Sequence, residues 1–451
     1  MSVKKTMHEA PLPIILTSTG YGGSGSSAGT NILEEFSSVT SFGNTFECSF
    51  IHEADGLYDL ENAINEGHRL KIDLAVKRFL SLAKILDQDS DYQKYFNGQF
   101  YKKAEKYIES ITVCKWNGSW HRAFETKKIT FAERQRMLFA KSFFNALYKE
   151  KQLNSYEPDG WQPLYTPVTD YYCIGKQSDF YEKTRTYISD LFSNGLHKNK
   201  YILVDQLLSP YDFTRYSNYF YDIKALVIDK DPRDLYAVQM ADWGVGYIPC
   251  DNVGMFIDWY KSTRVQRYRI NTEWKNTALF IPFESLIYEY ENSLEKVKEF
   301  TGLNTDEHIY KKQFFIPEKS VVNTQVYKRY PQLKKDIDKI EKELEEYCFH
   351  FEKYPPIPID IVNDNYIFIN DICKDVEKLQ LTGKLSKDRR VSHILLIFNV
   401  CKLPLYLTTF STRQTLKSKL KGIVKIGLAF LLFPVEFLIN LILFLFTVKD
   451  A

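Results

Sequence analysis

The sequence lacks a marked excess of charge, and it lacks cysteines spaced for a metal site. Its 59 Lys and Arg residues nearly balance 57 Asp and Glu residues, which leaves a formal net charge of +2. This balance gives no global basic surface for nucleic acid. The 7 cysteines are scattered, without a CxxC or Cys/His cluster of zinc spacing. We therefore expect reduced thiols in a cytosolic compartment, no bound metal and no nucleic-acid partner.

The chain also lacks an N-terminal apolar stretch of the kind found in secretory signal peptides. Residues 1–12 contain no continuous apolar stretch and are predicted to be a disordered tail. Hydrophobic residues make up 44% and charged residues 26%, which is typical of a globular protein. We therefore expect the main body to remain in the cytoplasm.

The pattern of apolar runs predicts an α/β domain over residues 13–352. An apolar strand near Ile14–Leu16 precedes a Gly/Ser run and a helix at about 27–36, and a second strand is expected at Phe46–Phe50. This order opens doubly wound folds, in which helices flank a parallel sheet. Further strands are predicted at three places: 201–204, 225–228 and 278–283. The stretch at about 58–195 has mostly helical spacing and is predicted to be a large helical insertion that shapes an acceptor site.

The C-terminal part differs in kind from the rest. A Pro-rich stretch opens a linker and helix at 353–391. Residues 392–451 include the apolar run Ile426–Val448, which is long enough to span a bilayer and follows a basic flank. Because Glu436 lies inside this run, a re-entrant segment is an alternative, as is a buried core helix. We predict a membrane-associating helical region with the main body on the cytoplasmic face.

The Gly/Ser run after the first strand has the features of a phosphate-binding loop. Glycines let successive backbone N–H groups point at one anion, and the following helix presents its positive end. The pattern is not that of an ATPase, because Ser26 occupies the position of the Walker lysine. A flexible linker is the alternative. The predicted phosphate contacts are Gly22, Gly23, Ser24, Gly25, Ser26 and Ser27.

A second motif, D-K-D-P-R-D at 229–234, follows the predicted strand at 225–228. Pro232 suits the first turn of a helix. Lys230 and Arg233 could reach a phosphate in the same cleft, and an ordinary solvated turn is the alternative.

Together these motifs resemble the sulfotransferase family, whose donor is 3′-phosphoadenosine 5′-phosphosulfate (PAPS). K-D-P-R-D resembles the family's 3′-phosphate motif, R-D-P-R-D, and GGSGSS resembles its 5′-phosphosulfate loop. The segments Ile281–Leu303 and Pro317–Tyr330 resemble the family's later Y-E-D-L region and the loop that covers the nucleotide. The matching pieces cover about 14–50 and 199–340.

The resemblance implies a P-loop fold that transfers a sulfuryl group from PAPS to a hydroxyl. The family's loop lysine falls on Gly23 and its 3′-motif serine falls on Val238, so this chain departs from the family at both positions. Asp205 is the candidate catalytic base. The missing lysine could be replaced by one of three cations: Arg215, Lys328 or Arg329.

The membrane-associating region predicts that the acceptor is a glycan or lipid-linked saccharide, such as a growing surface polysaccharide. Three other classes stay open. One is a P-loop kinase-like enzyme, another is a catalytically impaired protein that binds a nucleotide or glycan, and the third is a membrane scaffold whose P-loop fold is vestigial.

Overall fold

The computed structural model describes most of the first 382 residues. The described residues are 13–43, 45–118, 130, 132, 134–136, 138–139, 168–175, 179–192, 199–244, 246–362, 366 and 368–382. The predicted tail at 1–12 and the predicted membrane region at 392–451 lie outside them. Within the described ranges, no helix has the length and apolarity needed to cross a membrane.

The chain divides into two compact units. The first, which we call the sheet unit, contains Met1–Cys48, Gln88–Asp91 and Phe192–Ala451. The second, which we call the helical unit, contains Ser49–Asp87 and Tyr92–Leu191.

The described strands are β1 (Ile14–Gly20), β2 (Val39–Ser41), β3 (Cys114–Gly118), β4 (Thr169–Cys173), β5 (Tyr201–Leu203), β6 (Ile223–Asp229) and β7 (Ala278–Pro282). The described α-helices of the sheet unit are α1 (Ser27–Glu34), α7 (Phe213–Tyr216), α8 (Pro232–Val238), α9 (Val253–Arg264), α10 (Ser285–Tyr288), α11 (Tyr290–Thr301), α12 (Pro317–Ser320), α13 (Lys334–Glu343) and α14 (Ile369–Thr382). The remaining helices are α2 (Leu57–Glu66), α3 (Arg69–Leu86), α4 (Ser90–Tyr95), α5 (Phe100–Ile111) and α6 (Phe180–Phe192).

Five strands form one parallel sheet in the order β2-β5-β1-β6-β7. The interior strand β6 is fully buried from Ala225 to Ile228, as expected for a parallel strand covered on both faces. Helices α1 and α11 pack their apolar side chains, including Ile32 and Val297, against residues of β1, β5 and β6. The predicted α/β class with a parallel sheet flanked by helices is therefore confirmed.

Most of the local predictions for the sheet unit are confirmed, and one predicted strand is wrong. Strands occur at the three later predicted places as β5, β6 and β7, and the first helix begins at Ser27 as expected. The strand predicted at Phe46–Phe50 is wrong, because only Glu47 forms an isolated bridge there, to Asp205. The second strand of the chain is instead Val39–Ser41, too short for its apolar pattern to stand out.

The helical unit packs helices and one hairpin. In α3 the buried side chains include Ile72, Val76, Phe79 and Ala83, which recur at helical spacing. Strands β3 and β4 pair antiparallel, with Cys114 opposite Cys173. The sequence pattern predicts a mostly helical region here and does not predict this hairpin.

Candidate functional site

The two motifs singled out in the sequence leave neighbouring strands at the same edge of the sheet. Strands β1 and β6 are parallel, with Gly20 opposite Ile228, so their carboxyl ends meet. The glycine turn, defined as Gly22–Ser27, follows β1, and the D-K-D-P-R-D segment follows β6. A direct link joins them, because the Ser24 hydroxyl donates to the carbonyl of Ile228 at 2.8 Å. Ligands of open α/β sheets bind at such strand ends.

The backbone of the glycine turn has the geometry of an anion cradle. Gly22, Gly23 and Gly25 have φ values of +92°, +61° and +82°, in the left-handed region. Within the described residues, no protein acceptor takes a hydrogen bond from the amides of residues 22–27. The next amide, that of Ala28, bonds to the Gly25 carbonyl at 3.0 Å. Six consecutive donors are thus left at the N-terminus of α1, where anions are favoured.

A side chain at Gly23 would be strained and would displace its neighbours. The φ of Gly23 is +61°, and a Cβ atom there would lie 2.8 Å from Nε2 of Gln239 and 3.2 Å from Cδ1 of Leu235. Both partners are buried, with Gln239 4% exposed and Leu235 0% exposed. Because this chain carries a glycine where the sulfotransferases that it resembles carry a lysine, any cation for a bound anion must come from another segment.

The three serines of the turn have different surroundings. Ser24 is committed to the Ile228 carbonyl, so it anchors the turn rather than facing a ligand. The Ser26 hydroxyl accepts from Nε2 of Gln206 at 2.5 Å, which leaves its own proton available to a ligand. Gln206 is itself held by Thr19 at 3.2 Å, while Ser27 is exposed at the start of α1.

Lys230 supplies a cation beside the turn. Its side chain is largely buried, at 8% exposure, and its Nζ lies 4.7 Å from the centroid of the Phe283 ring. The same ring borders the turn, because a Cβ on Gly25 would lie 2.7 Å from its Cδ2. No carboxylate or hydrogen-bond acceptor in the part of the chain that the structure describes contacts this ammonium. Lys230 does interact electrostatically with the buried Asp234, whose pKa it lowers against the effect of burial, and its Nζ is not fully shielded from solvent, so a bound anion could contact it directly.

Arg233, the second predicted cation, is held by the protein. Its Nε and Nη2 donate to the two oxygens of Asp231 at 3.0 and 2.6 Å. Its Nη1 donates to Glu341 at 2.6 Å, and Nη2 also donates to the carbonyl of Phe349 at 2.8 Å. The charge is thus compensated by two carboxylates, so a phosphate would have to compete with both. Lys230 therefore lies beside the turn where a ligand could contact it, whereas the hydrogen bonds of Arg233 join segments of the protein.

Two buried carboxyls complete this segment. Asp234 accepts from the amides of Gln325 and Tyr327 at 2.8 and 3.2 Å, and burial raises its pKa to about 7. Glu284 accepts from the amide of Asp231 at 3.0 Å, and burial raises its pKa well above the ordinary value. Glu284 thus fixes the backbone immediately after Lys230, and Asp234 joins the same segment to residues 325–327.

A buried arginine, which sequence reasoning missed, secures the end of β6. The Arg264 side chain is 0% exposed and donates to both oxygens of Asp229, at 3.1 and 2.9 Å. Its guanidinium stacks over Tyr260 at 3.8 Å and over Tyr21 at 4.5 Å. Tyr21 immediately precedes the glycine turn, so Arg264 connects both strand ends. A lone Arg in the helical stretch 253–264 carries no sequence signal for this contact.

Asp205, the candidate base, lies at the end of β5 and is 2% exposed. Its carboxylate accepts from the Thr30 hydroxyl at 2.5 Å. The pKa of Asp205 is raised to about 7, chiefly by burial and also by the nearby carboxylates of Glu47 and Glu34, whereas the hydrogen bond from Thr30 lowers it. The structure places Asp205 against α1, and it is the adjacent Gln206 that reaches the glycine turn.

The three cations proposed to replace the loop lysine all have protein partners. Arg215 lies 3.9 Å from the Asp212 carboxylate. Lys328 donates to the side chain of Gln325 at 2.5 Å, and Arg329 donates to a backbone carbonyl at 2.7 Å. Among the described residues, no group of three or more His, Cys, Asp and Glu side chains is arranged to hold a metal ion.

Comparison of the sequence with known protein families matches none of them, and comparison with curated proteins gives no match either.

Proposed function

We propose that this chain binds PAPS at the glycine turn and transfers its sulfuryl group to a hydroxyl of a saccharide acceptor. The observation that carries the proposal is the meeting of two parts at one sheet edge. These are six backbone donors with no acceptor in the described residues and the largely buried Lys230, whose ammonium makes no hydrogen bond or ion pair there. The order of the motifs, with a Gly/Ser loop after the first strand and K-D-P-R-D after a later one, resembles sulfotransferases and supports this donor.

In the proposed reaction the acceptor oxygen attacks sulfur while the bond from sulfur to the bridging oxygen breaks. Adenosine 3′,5′-bisphosphate leaves, and the acceptor proton passes to a base. The amides of Gly22–Ser27 would hold the 5′-phosphosulfate, and Lys230 would pair with the 3′-phosphate. Asp205 is the proposed base, and with its raised pKa it would act above about pH 7.

Calorimetry with three nucleotides tests the proposal. Adenosine 3′,5′-bisphosphate should bind more tightly than adenosine 5′-monophosphate, because only the first carries the group expected at Lys230. ATP should bind no better than the monophosphate, because Ser26 stands where ATPases carry their lysine. Absence of adenosine 3′,5′-bisphosphate binding at about 1 mM ligand, a free energy weaker than roughly −4 kcal/mol, would overturn the proposal.

A binding protein without turnover is the second candidate. Two predicted site residues favour it, because both are engaged by other protein groups: Arg233 pairs with two carboxylates, and Asp205 accepts a hydrogen bond from Thr30. Transfer of labelled sulfate to a lipid extract separates the candidates. Tight nucleotide binding with no labelled product would leave only the second.

We also propose that the acceptor is lipid-linked and that residues 392–451 hold the protein at the cytoplasmic face of the membrane. The basic flank and the apolar run Ile426–Val448 support this placement. Removing the residues after 390 should move the protein from the membrane fraction to the soluble fraction. Retention in the membrane fraction would contradict the proposal.

A further inference from the structure

The side-chain amide of Gln239 lies beside Gly23, close to the position that a Cβ atom on residue 23 would occupy. Its Nε2 lies 2.8 Å from the position that a Cβ on Gly23 would take. The residue is 4% exposed, so the amide is held in place by its surroundings rather than by solvent. Gly23 and Gln239 are therefore fitted to each other, and the glycine leaves room for the amide.

The Gln239 amide has no hydrogen-bond partner in the ranges that the structure describes. The residue is largely buried, yet its amide atoms are not completely shielded from solvent, so a ligand can reach the two donors and the acceptor of the carboxamide. The neighbouring turn amides also lack acceptors, so the donors of both segments can be met together by one anion.

The backbone at Gln239 is unusual as well. Helix α8 ends at Val238, and a π-helical turn runs over Gln239–Trp243. Such turns are rare and frequently occur at functional sites. This one places a carboxamide against a glycine turn that contains no lysine.

We propose that Gln239 is a ligand of the anion bound by the glycine turn and supplies a hydrogen bond from Nε2 where related loops supply a lysine. The inference rests on the proposed function, since the anion is taken to be the 5′-phosphosulfate of the donor. A neutral amide gives orientation without the charge of an ammonium, so Lys230 is the cation of the pocket.

The test compares two substitutions of Gln239 by calorimetry. Gln239→Leu removes the donor at similar volume and should weaken adenosine 5′-monophosphate and adenosine 3′,5′-bisphosphate by the same factor, roughly 10- to 100-fold. Gln239→Glu places a carboxylate against the phosphate and should weaken binding further. Gln313→Leu, at an exposed glutamine after α11, is the matched control and should leave both affinities unchanged.

A pH series separates ligand contact from structural damage. If the side chain at 239 touches the anion, protonation of the carboxyl introduced by Gln239→Glu should restore affinity as the pH falls, relative to the wild type at each pH. The Leu variant should show no such recovery. Variants that bind like the wild type, or a Glu variant whose deficit is independent of pH, overturn the inference. Failure of the wild type to bind either nucleotide defeats the proposed function itself.

Discussion

Replacing Lys230 with methionine should remove the preference for adenosine 3′,5′-bisphosphate with little effect on stability. The side chain is largely buried beside Phe283, and its ammonium makes no hydrogen bond or ion pair among the described residues, so the substitution breaks no direct polar contact. Methionine keeps an unbranched stem against the ring. The free energy of unfolding should change by less than about 1 kcal/mol, because only the electrostatic interaction with the buried Asp234 is lost.

The expected loss of binding follows from the interaction that the ammonium would make. A hydrogen bond to a charged group contributes about 1.5–3 kcal/mol, which corresponds to roughly 10- to 150-fold in Kd. This loss should fall on adenosine 3′,5′-bisphosphate and spare adenosine 5′-monophosphate, so that the two bind alike in the variant. Lys230→Arg, which keeps the charge, should retain part of the difference.

The assay is calorimetry with both nucleotides, accompanied by a thermal unfolding curve for each variant. Lys224→Met is the matched control, because Lys224 lies near the other end of β6 and donates to the carbonyl of Asn276 at 2.7 Å. A Lys230→Met protein that keeps its preference for the bisphosphate refutes the reasoning. So does one whose unfolding midpoint falls well below that of the control, since the ammonium would then have a stabilising role.

Four further predictions concern the surroundings of the turn. Arg264→Met should cost about 3 kcal/mol of unfolding free energy because it leaves the buried Asp229 with only the more distant Arg267, at 3.7 Å, as a counter-ion, whereas Arg269→Met, at a partly exposed pair, should cost at most about 1 kcal/mol; equal losses in denaturant titrations would contradict this. The pKa of Asp205 is about 7 in the folded protein, above its ordinary value, so the charged carboxylate destabilises the fold at higher pH. Asp205→Asn should therefore raise the unfolding midpoint more at about pH 8 than at about pH 5, and equal shifts at the two pH values would refute this. The same variant should lower labelled-sulfate turnover about 10²- to 10⁴-fold, and unchanged turnover would remove Asp205 as the base. Gly23→Lys should weaken nucleotide binding although it adds a cation, and tighter binding in calorimetry would show that the turn accommodates a side chain.

The parts of the fold that the sequence predicts are those with strong local signals. The buried run at 225–228 is β-branched and apolar, and it forms the centre of β6. The Gly/Ser run between an apolar strand and a helix forms the turn it indicates, because glycines adopt the required positive φ values without steric cost. The strand predicted at Phe46–Phe50 is wrong because its aromatic side chains are buried by ring contacts rather than by a sheet: Phe46 packs on Phe42, and Phe50 packs on side chains of α5 and α6.

The candidate site is less visible in the sequence, because its side chains come together only through tertiary contacts. Lys230 and Arg233 look equivalent in D-K-D-P-R-D, yet Glu341, 108 positions after Arg233, neutralises only one of them. Asp205 and Gln206 are neighbours that point to different partners, Thr30 and the turn. No pattern around Gln239 marks it as adjacent to Gly23.

The most direct test is a structure of the chain with adenosine 3′,5′-bisphosphate bound. We expect the 5′-phosphate on the amides of Gly22–Ser27, within reach of the Gln239 amide, and the 3′-phosphate beside the Lys230 ammonium. A nucleotide bound at another edge of the sheet, or one whose phosphates avoid both the turn and Lys230, would contradict the account.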